Sequence, residues 1–134
     1  MTFSLLDREK GITELPPVTD EEYPLPAWYC SVRDVALEDL TLGDIAKACR
    51  QQIHLDYTVP IALIRLTTDP FGGEIYEGEL LASMKSVPRE YWAGHLDDGD
   101  VLMSCLRKVL KTEHTSEEVR QDAEDIMKKL GFSK

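Results

Sequence analysis

The side chains able to do chemistry are few and badly placed for it. The three cysteines, Cys30, Cys49 and Cys105, show no Cys-x-x-Cys spacing, and His54, His95 and His114 never fall at the i, i+4 spacing of a helical metal pair. An odd cysteine number leaves one thiol over in any disulfide framework, which favours a reducing cytoplasm. Gly72-Gly73 lacks both the GxGxxG fingerprint and the lysine-bearing phosphate loop, and no serine sits in a G-x-S-x-G elbow. The carboxylates are too numerous, at 25, for any pair to single itself out as acid and base. These patterns point to a non-enzyme with no cofactor and no metal site.

The residues that remain are suited to binding. Positions 69–81 hold three glycines, four acids and two aromatics. Carboxylates steer the encounter with a basic protein and pair with its Lys and Arg, while an aromatic supplies the anchor. On that logic Glu74, Tyr76, Glu77 and Glu79 are candidate contacts, and Asp97, Asp98 and Asp100 extend the acidic surface. A plainer account competes with this one. Phe71 and Tyr76 would fill the core, the glycines would turn the chain, and the acids would sit at helix entries, where the dipole favours them. Tyr91 and Trp92 likewise read either as an extension of the surface or as core.

Charge supports the binding reading. The 134 residues carry 25 acidic and 15 basic side chains, a formal net of -10. Half of that lies in residues 71–100, with seven acids against two bases, whereas residues 101–134 are nearly balanced. Such a balance argues against direct nucleic-acid contact, which needs clustered Lys and Arg, and against anionic membranes. No stretch approaches the roughly 18 apolar residues of a membrane span, and the N-terminus, acidic by residue 7, resembles no signal or transit peptide.

The elements that would position these residues read as helices. The length predicts one domain, mainly α, with an irregular Pro-rich leader over 1–27 and a helical core over 41–134. Pro16-Pro17, Pro24 and Pro26 interrupt the leader. Trp28, Tyr29, Val32 and Val35 read either as one short strand or as anchors for it. Thr41 is a candidate N-cap, with Asp44 as its partner, for a helix bearing Leu42, Ile45, Ala46, Cys49 and Ile53 on one face. The apolar run from Val59 to Leu66 reads as a helix with Pro60 in its first turn and Asp69-Pro70 at its end; a buried strand is the rival. Short helices are expected at about 77–85 and 88–93. Asp97-Asp98-Gly99-Asp100 reads as a turn and acidic entry to a helix striped by Val101, Leu102, Cys105, Leu106, Val109 and Leu110. A final helix follows, boxed by Thr115 and Glu118, striped by Val119, Ala123, Ile126, Met127 and Leu130, and stopped by Gly131. The last two should form an antiparallel hairpin.

The order of residues in this core also resembles a known group. Leu40-Thr41-Leu42-Gly43-Asp44-Ile45, Arg50-Gln51, Tyr57 through Pro60 with Ala62, Asp69-Pro70-Phe71, and Gly73-Glu74-Ile75-Tyr76-Glu77-Gly78-Glu79-Leu80-Leu81 carry the pattern, flanked by Tyr23-Pro24-Leu25-Pro26 and Pro88 through Trp92. It resembles the immunity proteins of bacterial contact-dependent growth inhibition systems, over residues 23–92, about half of the chain. The resemblance implies a cytoplasmic protein that binds the C-terminal domain of a cognate toxin and neutralises it stoichiometrically, usually by covering its active site. Many such toxins are nucleases with basic clefts, which an acidic inhibitor would fit. "Immunity protein" is a label shared by unrelated folds, so the resemblance carries over neither an architecture nor binding residues. The alternative is a small acidic adaptor that binds a basic partner unrelated to a toxin.

Overall fold

A computed structural model describes residues 1–16, 25–74, 76–113 and 115–131, which contain eight α-helices and no strand. The mainly α expectation holds. No helix among the described residues is long and apolar enough to cross a membrane. The chain packs as two compact units, Met1–Leu40 and Thr41–Lys134.

The first unit corrects the irregular leader. Helix α1 (Phe3–Lys10) is capped by Thr2, whose hydroxyl accepts the Leu5 N–H at 3.2 Å, and it ends on Gly11 at φ 72°. Helix α2 (Leu25–Val32) buries Leu25, Trp28, Tyr29 and Val32, the i, i+3, i+4, i+7 face of a helix rather than alternate positions of a strand. Pro26 does not break it, because a proline in the first turn forfeits no intrahelical hydrogen bond. Between the two helices Phe3 stacks on Tyr29 with ring centroids 5.5 Å apart, and the Tyr29 hydroxyl donates to Asp7 at 2.7 Å. Pro17 and Pro24 lie outside the described residues.

The second unit is built around α3 (Leu42–Arg50), α4 (Leu55–Thr68), α7 (Leu96–Lys111) and α8 (Glu117–Leu130), with the short α5 (Glu79–Ser83) and α6 (Arg89–Gly94) between α4 and α7. Thr41 caps α3 as expected, accepting the Asp44 N–H at 3.1 Å. Helix α4 starts five residues earlier than the proline suggested, on His54 in the left-handed region, and so takes Pro60 into its interior. Burial of Thr58, Val59, Ala62, Leu63 and Leu66 outweighs the one N–H the proline lacks. Asp69 ends α4, and its carboxylate accepts the Phe71 N–H at 3.0 Å to start the turn.

Helix α7 also begins early. Asp97 and Asp98 lie in its first turn, and Gly99 is buried within it rather than forming a turn. The cap of α8 is Ser116, which accepts the Val119 N–H at 3.2 Å, whereas the Thr115 hydroxyl donates to the Val109 and Thr112 carbonyls. Gly131 closes α8 at φ 80°. Arg120 reaches the Leu110 carbonyl next to the link, and Leu96 and Leu130 share a cavity at the far end, so α7 and α8 form the expected antiparallel hairpin. Asp56, at the start of α4, acts with Asp98 on Tyr91, and Thr67 in the last turn of α4 bonds Cys105 of α7. Helices α4 and α7 therefore run side by side in the same direction.

Candidate protein-binding surface

The acidic candidates divide into two groups at opposite ends of α7. Glu77 lines a shallow depression with Asp69, Phe71, Thr112 and Thr115, at the C-terminal ends of α4 and α7. Asp97, Asp98 and Asp100 sit at the N-terminal end of α7. From Asp98 to Thr112 the helix rises about 21 Å, at roughly 1.5 Å per residue. The seven residues do not form one site.

In the first group the loop uses its own acids. The Glu74 carboxylate accepts the Gly43 N–H at 3.0 Å, a second cap on α3 supplied from 31 residues away. That backbone bond, and then a bond from the Thr41 hydroxyl, hold the Glu74 carboxyl below its ordinary range. Negative charge at a helix N-terminus is favoured by the dipole. Glu79 is 3% exposed, and its carboxylate accepts the Glu74 N–H at 2.9 Å. This is a correction: a carboxylate folded back into its own loop cannot reach a partner. The loop is held by the Gly78 N–H on the Phe71 carbonyl at 2.9 Å and the Leu80 N–H on the Gly72 carbonyl at 3.2 Å. Two glycines are obligatory here. A Cβ at Gly73 would stand 2.1 Å from the Tyr76 carbonyl oxygen, and Gly78 sits at φ 83° with Val119 2.8 Å from its Cβ position. Tyr76, 53% exposed, is not a core plug, and it shares the surface with exposed Glu77.

In the second group the acids face outward. Asp97 and Asp100 are exposed and have no hydrogen-bond partner among the described residues, while Asp98 accepts the Tyr91 hydroxyl at 2.8 Å. The Tyr91 pKa is raised by burial, then by that bond and by the charges of Asp98 and Asp56. Tyr91 also stacks on His95 at 3.9 Å and meets Trp92 edge-on at 5.2 Å, which fixes the hinge between α6 and α7. Trp92 is core, as the plainer account held. Around these acids lie residues the sequence reading missed. Exposed Asp56 and Tyr57 open α4 at the same end, and Leu96 and Val101 of α7 are 69% and 41% exposed. Leu96 falls out of phase with the Leu102, Leu106, Val109 stripe, a signal the sequence does carry, whereas Val101, expected within that stripe, turns to solvent.

Cys49 and Cys105 are buried thiols, Cys49 pushed up to about 12 by its burial, and Cys30 is exposed. Among the described residues no three of His, Cys, Asp and Glu could hold a metal ion. A family model described as CDI immunity proteins matches residues 12–102. No curated protein matches the chain.

Proposed function

The chain belongs to the family of CDI immunity proteins, those of contact-dependent growth inhibition, and on that premise we propose that it neutralises a cognate toxin domain by binding it. The binding is one-to-one and cytoplasmic, and the protein performs no reaction of its own. The toxin presents a basic face, and a nuclease cleft fits best: carboxylates take the place of the phosphate backbone there. Tyr57, Asp56, Leu96, Asp97, Asp98, Asp100 and Val101, at the start of α4 and α7, are the proposed contact end. The observation that carries this choice is that Asp97 and Asp100 stand uncommitted beside exposed Leu96 and Val101. Apolar anchors inside a charged rim are what a protein interface requires. Tyr76 and Glu77, at the other end of α7, are the rival contact surface.

The test is co-expression with the cognate toxin domain, scored by survival. Protection is expected. Growth arrest despite a soluble, folded immunity chain would overturn the proposal.

A further inference from the structure

A cavity of about 130 Å³ lies between α6, the start of α7 and the end of α8, and shares only Leu96 with the proposed contact end. Trp92, Ala93, Leu96 and Leu130 give it apolar walls, and Arg89 and Lys129 line it beside them. Two basic side chains around an apolar hollow are unexpected in a chain of net charge -10. Neither forms an ion pair among the described residues. Arg89 gives only its Nε–H, to the Lys129 carbonyl at 3.3 Å, and Lys129 Nζ donates to the Lys85 carbonyl. The guanidinium Nη hydrogens and two ammonium hydrogens are therefore uncommitted. Desolvation already pulls the Lys129 pKa down, so an anion beside it would relieve a cost the free protein carries. Trp92, which lines the cavity, is 4% exposed, and its buried indole N–H has no acceptor among the described residues.

We propose that this cavity is a binding site for a small monocarboxylate with an apolar body, the carboxylate between Arg89 and Lys129 and the body against Trp92, Leu96 and Leu130. The size fits, since a dry cavity of about 150 Å³ accommodates benzene. The charge selects one negative unit over two. Glu90 acts on Lys129 and Asp97 adjoins Leu96, so a phosphate dianion meets twice the repulsion a carboxylate does, and leaving water costs the dianion disproportionately more. A free small molecule suits the volume better than a peptide end, which needs a groove for the chain that follows it.

The experiment is a titration of the full chain followed by the indole N–H resonances, with Trp28 as internal control. Benzoate should shift the Trp92 resonance saturably and leave Trp28 in place. Benzyl alcohol and phenyl phosphate, matched in ring, should bind at least tenfold more weakly. The double variant Arg89→Gln, Lys129→Gln should lose benzoate binding at least tenfold. Because Arg89 also ties α6 to α8 and Lys129 ties α8 to Lys85, the comparison of probes on the unaltered protein decides the matter independently of the variant. Equal shifts with benzoate and benzyl alcohol, or none with either, would overturn the carboxylate site. Tighter binding of phenyl phosphate would overturn the choice of one charge. Tighter binding of N-acetyl-leucine than of 4-methylpentanoate would assign the site to a peptide terminus and refute the small-molecule reading.

Discussion

The loop from Asp69 to Gly78 and the start of α7 are built from the same materials, acids beside glycine and an aromatic, and use them in opposite ways. In the loop, Glu74 caps α3, Glu79 holds the loop's own backbone, and two glycines allow approaches no side chain would permit. At the start of α7 the acids sit in a helical turn whose N–H groups they do not need to satisfy from afar, so Asp97 and Asp100 stay in solvent. Acid content alone does not mark a binding surface. What matters is whether the carboxylates already have partners inside the fold.

Substitutions can break this contrast. The largest effect is expected at Gly73→Ala, where the new methyl meets the Tyr76 carbonyl at 2.1 Å and the loop must open. Denaturant melting should show a loss on the order of 3 kcal/mol, in the range of severe core and backbone faults. A loss under 0.5 kcal/mol would show that the loop is not fixed as described.

Next comes Glu79→Leu. It leaves the Glu74 N–H without its acceptor, a defect worth about 1–3 kcal/mol of stability. Glu79→Gln, which keeps an acceptor oxygen, should recover most of it. If the Leu variant melted like the parent, Glu79 would return to the list of surface contacts.

Glu74→Gln should give the smallest change, and a pH-dependent one. The folded carboxyl is held below its ordinary value, so its contribution is present above the unfolded value near pH 4.3 and is lost as pH falls through the folded one. Stability at pH 7 should fall by about 0.3–1 kcal/mol, and the gap between variant and parent should narrow toward pH 2. An equal gap at both pH values would remove the charge from the explanation.

Much of the core was legible in the sequence because it rests on local rules. The stripes of α7 and α8, the Thr41 cap and the Gly131 stop follow from helical spacing and backbone geometry within a few residues. Prolines misled where position matters more than presence: Pro26 lies in a first turn, and Pro60 is carried inside α4 by the burial around it. The surface was only half legible. That Glu74 reaches Gly43 and that Glu79 turns inward are tertiary facts, and no spacing within 69–81 encodes them. Asp56 and Tyr57 were missed because α4 was started at the proline.

The central claim, that the toxin meets the start of α7 rather than the loop, is tested most directly by association rates with the cognate toxin domain. The triple variant Asp97→Lys, Asp98→Lys, Asp100→Lys should associate at least tenfold more slowly at low salt, with the difference shrinking as salt is added. The pair Tyr76→Ala, Glu77→Lys should associate at nearly the parental rate. The reverse ranking, a slow loop variant and an unaffected α7 variant, would contradict the account.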